Sequence, residues 1–153
     1  MIQHQTATRG DGSIEVSLKG KIDERFEYGD LVEATRSAPK VVVHLGGVRA
    51  ISSLGVRSFE GMMSGLMGAV AARTVELVHV PPALATQLAM IPNLCQGAVV
   101  RTAELPFVCP SCGAEATHEV PWKANAHVDH APACECGGTM ELDGLPEQYL
   151  PPP

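Results

Sequence analysis

Four cysteines within 28 residues, in the pairs Cys109-Pro110-Ser111-Cys112 and Cys134-Glu135-Cys136, constrain this chain more than any other feature. A two-residue spacing lets one tight turn present two sulfurs to a single ion, and Gly113 follows where the backbone must bend sharply. The second pair has one intervening residue, which shortens the turn but leaves both thiolates within reach of a common centre. Twenty-one residues separate the pairs, room for a short hairpin or an irregular loop. The expected arrangement is one structural zinc ion held by Cys109, Cys112, Cys134 and Cys136. His118, His127 and His130 are substitute ligands should the short spacing prove unsuitable, and iron is an alternative in a four-sulfur site. Two disulfides, or reduced and unbound thiols, are the bland alternative. No basic-then-apolar leader opens the chain, so a reducing, cytoplasmic setting is expected, and there paired cysteines more often bind metal.

At 153 residues there is length for one ordinary core and a small appendage. The division expected is residues 1–104 for the larger domain and 105–153 for the cysteine module, with Leu105-Pro106 at the boundary, beyond which apolar periodicity gives way to cysteine, proline and glycine. So short a module cannot bury enough apolar surface by itself. Metal binding can contribute ~10–16 kcal/mol of folding free energy. Val108, Val120, Trp122, Met140, Leu142 and Leu145 are available for docking onto the neighbour. The tail from Met140 to Leu150 is expected to pack back on the larger domain, with the three final prolines as an unstructured end. Four thiolates fill a tetrahedral site, so catalysis at this metal is not expected.

Charge is divided as unevenly as cysteine. Residues 1–104 balance ten basic against ten acidic side chains, whereas 105–153 set Lys123 alone against seven carboxylates, so the module carries the whole net charge of −6. A zinc ion with four thiolates makes it more negative still. A surface that tracks phosphates needs clustered Lys and Arg, which excludes nucleic acid as the expected partner and favours protein contact.

The first hundred residues alternate strand and helix signals. Ile14, Val16 and Leu18 interleave with polar residues at the period of a half-buried strand, and Asp11-Gly12 before them predicts a hairpin with residues 2–8. A helix is expected over 27–37, ended by Pro39. The run Val41-Val42-Val43 reads as a central strand covered on both faces. Val56, Phe59, Met63, Leu66 and Val70 form the stripe of an amphipathic helix, in which the methionines fill core. A strand over 74–80, a helix over 83–90 and a last strand over 98–102 complete the pattern. The class is α/β, an open mixed sheet of four to five strands with helices, plus the small carboxy-terminal module. The most apolar helical stretch is too short and too interrupted by Ser64, Gly65 and Gly68 to span a bilayer.

Leu18-Lys19-Gly20-Lys21-Ile22-Asp23, the run Val41-Val42-Val43-His44-Leu45, and the loop Ile51-Ser52-Ser53-Leu54-Gly55-Val56 opening a helix resemble the sulfate transporter and anti-sigma factor antagonist (STAS) domain over about residues 1–103. The cysteine module resembles a zinc ribbon. The STAS resemblance implies a protein-contact module acting through that loop and the helix after it, with a kinase or an anti-sigma factor as partner. In phosphorylatable members the serine just before the loop glycine accepts phosphate. Leu54 stands there in this chain, Ser52 replaces the loop aspartate, and His44 replaces an acidic residue at the end of the central strand. The usual phosphoswitch is therefore lost or moved to Ser53 or Ser52. Elementary chemistry gives these serines a second role, as the N-cap of the helix, while the exposed amides there would also favour a phosphate.

No glycine-rich phosphate loop, Ser-His-Asp ordering or His-Glu-x-x-His helix is present, so no catalytic residue is assigned and an enzyme is not expected. The function expected is a non-enzymatic interaction module of the anti-sigma factor antagonist type, in bacterial-type signalling or as an adaptor, with a structural zinc site. The alternatives are an accessory STAS subunit of a membrane transport or lipid-handling complex, without direct membrane insertion, and a zinc-ribbon nucleic-acid factor, disfavoured by the acidic charge.

Overall fold

The computed structural model describes residues 2–69 and 72–153. Its first two strands, β1 (Gln3–Thr8) and β2 (Ile14–Ile22), form the expected hairpin, registered from Gln3 opposite Lys19 to Thr8 opposite Ile14. The turn closes with the Arg9 amide donating to the Ser13 carbonyl at 2.8 Å, and Asp11 Oδ1 accepting from the Ser13 amide at 2.9 Å. Side chains of β2 alternate as the sequence requires, with Ile14, Val16, Leu18 and Ile22 buried. Helix α1 (Gly29–Ala34) is shorter than the 27–37 expected and ends before Pro39. Strand β3 (Lys40–Ile51), helix α2 (Ser53–Gly68), strand β4 (Thr74–Val78), helix α3 (Pro82–Met90) and strand β5 (Val99–Val100) follow. The strands order β1-β2-β3-β4-β5, antiparallel only at the first pair, which makes a five-stranded mixed sheet.

Strand β3 departs from expectation in its coverage. Val41, Val43, Leu45 and Val48 are buried, but Val42 and His44 between them are only half-buried. One face carries the core and receives Phe59, Met62, Met63 and Leu66 of α2. The other carries polar side chains paired across the strands: His44 Nε2 lies 3.3 Å from Glu15, and Glu76 is 3.0 Å from Lys40 Nζ and 3.1 Å from Arg101 Nε. Val70, the last residue of the expected α2 stripe, lies outside the described residues.

The larger difference concerns the boundary at residues 104/105, which falls inside a strand. Strand β6 (Thr102–Val108) follows β5 after a single residue and runs through Leu105-Pro106. It pairs with β7 (Glu115–Pro121) and, at its far end, with β8 (Glu141–Leu142) in a second, three-stranded antiparallel sheet. Its burial alternates strictly, with Ala103, Leu105, Phe107 and then Cys109 inside. Pro106 is tolerated because its missing N–H faces the side where β8 pairs only with Phe107 and Val108, and its carbonyl still accepts from the Asp143 amide at 2.9 Å. The two sheets are stitched where Val80 bridges Ala103: the Val80 amide donates to Thr102 and the Glu104 amide to Val80, at 3.1 and 2.7 Å.

One core therefore serves both sheets, running from Val16 and Phe59 to Phe107, Val120, Met140 and Leu150. The tail packs back, with the 3-10 turn Pro146–Gln148 against α3 and Leu150 buried, whereas Leu145, a candidate for docking, is exposed. Buried Arg73, which the sequence did not single out, ties α1 to α2. Its guanidinium donates to the carbonyls of Ala38 and Leu66 at 3.0 and 2.9 Å, to Arg36 at 2.7 Å and to Thr35. Leu66 lies in the last turn of α2, and Thr35, Arg36 and Ala38 are the C-cap of α1 and residues that follow it, so the cation stands at both helix ends, which it suits as donor and as charge.

Candidate metal centre

The hairpin from β6 to β7 turns at the first cysteine pair. Cys109 is buried at the end of β6, and the turn closes with the Gly113 amide donating to the Cys109 carbonyl and the Cys109 amide to the Ala114 carbonyl, both at 2.8 Å. Gly113 adopts φ +76, a left-handed conformation that a residue with Cβ resists. The second pair lies on the segment between the short helix α4 (Ala126–Asp129) and β8 and repeats this arrangement one residue shorter throughout. There the Gly137 amide donates to Cys134 at 3.0 Å, the Cys134 amide to Gly138 at 2.8 Å, and Gly137 has φ +94. In both turns the left-handed glycine follows the second cysteine directly. The Cys-x-Cys spacing is thus a contracted copy of the Cys-x-x-Cys turn.

The two turns face each other. Cys109 Sγ is 3.5 Å from Cys136 Sγ, Cys112 Sγ is 3.6 Å from Cys134 Sγ, and all four sulfurs lie within 4.8 Å of one another. Sulfurs at the corners of a tetrahedron around an ion with ligand bonds of about 2.3 Å stand about 3.8 Å apart, so the cluster already has the dimensions of a metal site. All four are free thiols, and their separations are far from the ~2.05 Å of a disulfide. No histidine belongs to this cluster among the described residues. His118 instead stacks edge-on against Phe107 at 6.0 Å, and His127 and His130 lie on and just after α4. Gly138 keeps the turns close, since a Cβ there would meet Ser111 Oγ at 3.2 Å and Cys109 Sγ at 3.3 Å.

Electrostatics favours a cation at the centre. The amide of Cys112 and then that of Ser111 point at Cys109 Sγ and, with the neighbouring thiols, hold Cys109 down to about 6 despite its burial. Cys112 receives the Ala114 amide, but the adjoining sulfurs of Cys134, Cys136 and Cys109 outweigh it and push its thiol up to about 12. Cys136 is raised as well, its Gly138 amide outweighed by Cys109 and Cys134. Cys109 ionises readily, and ionising Cys112 or Cys136 beside it is opposed unless a positive charge compensates. A divalent ion supplies that charge to all four at once.

The other candidate residues stand at the start of α2. Ser52 is its N-cap, with Oγ accepting from the Gly55 amide at 3.0 Å, while its own amide donates to the Ile22 carbonyl at 2.9 Å. Ser53 and Leu54 follow on the exposed face of the first turn, Leu54 with 52% of its surface accessible. Cys95 lies apart from the cluster, half-buried, with its thiol directed at the Ala98 carbonyl at 3.5 Å. No helix among the described residues is long and apolar enough to cross a membrane. No family model matches the chain, and no curated protein matches it.

Proposed function

We propose that the chain is a non-enzymatic protein-interaction module of the STAS type, allied to the anti-sigma factor antagonists, with a zinc ribbon built onto its last strand. The partner is a kinase, an anti-sigma factor or a larger assembly, and it docks on the loop and first turn of α2. The observation that carries this reading is the exposed pair Ser53-Leu54 on a turn made rigid by the Ser52 cap and by Gly55. An apolar side chain occupies the position that a phosphoacceptor would use, so the surface is a standing contact site. Any modification would fall on Ser53, at the exposed amides of the helix start.

The four sulfurs take one zinc ion as a permanent fold staple. Zinc suits a closed tetrahedral thiolate site with no preference for other geometries, and its ligands leave no position for water or substrate. The acidic ribbon carries the net negative charge of the chain, which favours a partner with a basic patch.

The test is affinity purification of the intact chain with intact-mass and metal analysis, run beside a Leu54→Asp variant. One zinc per chain and a soluble protein partner that the variant loses at least tenfold are expected. A partner retained by Leu54→Asp, recovery only with membranes, or a bound small molecule with no protein would overturn the reading.

A further inference from the structure

Where the two sheets join, the backbone turns left-handed at His79, with φ +56, and the His79 amide donates to Thr102 Oγ1 at 2.9 Å. The imidazole is thereby set beside the first residues of the ribbon sheet. There β6 and β7 place Glu104 directly opposite Glu119. Two carboxylates in register across an antiparallel pair repel each other, and among the described residues neither forms an ion pair with lysine or arginine. What they share is His79, whose Nδ1 lies 2.8 Å from Glu119 Oε2 and 4.0 Å from Glu104 Oε1. The floor of the cluster is Gly46 of β3. A Cβ there would stand 3.3 Å from Glu104 Oε1 and 3.3 Å from His79 Cβ, so the space beside the ligand atoms is kept free of a side chain. His44 stacks on the His79 ring with centroids 5.6 Å apart and planes at 23°, which fixes its orientation from behind.

We propose that His79, Glu104 and Glu119 form a second metal site, which takes a divalent first-row transition ion with water in its remaining positions. The three ligand atoms lie within 4.8 Å of one another. Around an ion held at ~2.0–2.1 Å, neighbouring tetrahedral ligands stand about 3.3 Å apart, a value the separations of 2.8 and 4.0 Å straddle. One imidazole nitrogen with two carboxylates suits such ions better than calcium or magnesium and lacks the thiolates that a soft ion seeks. The site is distinct from the sulfur cluster, since Glu104 precedes Cys109 by five residues along an extended strand, about 16 Å. It is also unlike that cluster in kind. Three ligands leave open positions, and all three side chains are partly exposed, so water can reach the ion and a bound oxygen group can be polarised there. The ion would also relieve the repulsion between Glu104 and Glu119 at the seam between the sheets.

The probe is Mn²⁺, which competes poorly for four thiolates, added to full-length protein carrying a single equivalent of zinc, so that the thiolates are filled and the second site is left free. Electron paramagnetic resonance should count one bound Mn²⁺ per chain, with enhanced relaxation of water protons. The double variant Glu104→Gln/Glu119→Gln should bind at least tenfold more weakly while keeping its zinc and its circular dichroism. If that variant does not fold, the wild-type His79 ring resonances serve instead, and sub-stoichiometric Mn²⁺ should broaden them before those of His118, His127 or His130. Mn²⁺ binding that the double variant retains, broadening that spares His79, or no bound Mn²⁺ at all would overturn the proposal.

Discussion

Gly55 sits so close over the carbonyl of Ile22 that a Cβ on it would stand 2.0 Å from that oxygen and 2.6 Å from its carbon. The contact joins the first turn of α2 to the end of β2, and the same carbonyl accepts from the Ser52 amide at 2.9 Å. No rotamer change can relieve a clash between a Cβ and backbone. Gly55→Ala must therefore lift the start of α2 away from the sheet, at a cost of about 3 kcal/mol or more. Urea unfolding should report this as a lower midpoint at unchanged slope. Because the displaced turn carries Ser53 and Leu54, the variant should also lose the partner proposed above.

Arg73 makes the second specific demand. Its guanidinium answers four carbonyls in the Thr35–Ala38 region and at Leu66, with no carboxylate paired to it among the described residues, and burial lowers its affinity for the proton without neutralising it. Arg73→Met keeps the stem and removes the donors, which takes a hydrogen bond from each of those carbonyls and should cost about 2–4 kcal/mol, although the Thr35 carbonyl still accepts from the Ala38 amide at 3.0 Å. Arg73→Lys should restore only part, since an ammonium is a point donor and lacks the planar fork. Thermal melts of the two variants, compared with wild type, check the order.

How much of this was legible depended on whether the signal was local. The first hairpin could be read from Asp11-Gly12 and the alternation after it, and the α2 cap could be narrowed to Ser52 or Ser53, of which the structure uses Ser52, because both features are local in sequence. The convergence of the four cysteines was legible from spacing, but not their pairing, in which each cysteine of one turn stands close to a cysteine of the other. Strand β6 was misread at Pro106. Its alternation Ala103, Leu105, Phe107, Cys109 was present, and a proline that normally ends a central strand concealed it, tolerated here because β8 is too short to need its N–H. Arg73 and His79 carried no local signal at all, since their partners lie in elements distant along the chain.

Acid should expose one carboxylate. Arg25 donates to Asp23 from its side chain and from its amide, and holds the carboxyl down to about 2 although the group is largely buried. An unfolded aspartate titrates near ~3.9, so the folded state binds this proton more weakly than the unfolded chain. Stability from the pair is therefore complete above about pH 4 and is lost as pH falls towards 2. Wild type and Asp23→Asn should differ in urea midpoint at pH 6, and the difference should close across that window. A gap that persists unchanged at pH 2 would mean that packing, and not ionisation, is what the variant removes.

Metal removal should be felt well beyond the cysteines. The proposed zinc holds the turn that ends β6, and β6 also carries Ala103, Leu105 and Phe107 of the shared core and the bridge to Val80. Chelation leaves four crowded thiols of which Cys112 and Cys136 resist ionisation, so the two turns are held together by weak thiol contacts and the short β6–β8 pairing. Hydrogen exchange of the metal-free protein should accelerate first at residues 109–114 and 133–139, then along β7 and β8. The β2–β3 pair should stay protected, since its amides are bonded within the five-stranded sheet. Cys136→Ser should retain less than a tenth of the wild-type metal affinity, because no histidine among the described residues stands in the cluster to replace the lost sulfur. Undiminished metal in that variant would show that the site closes without Cys136, and the tetrahedral four-sulfur assignment would fall.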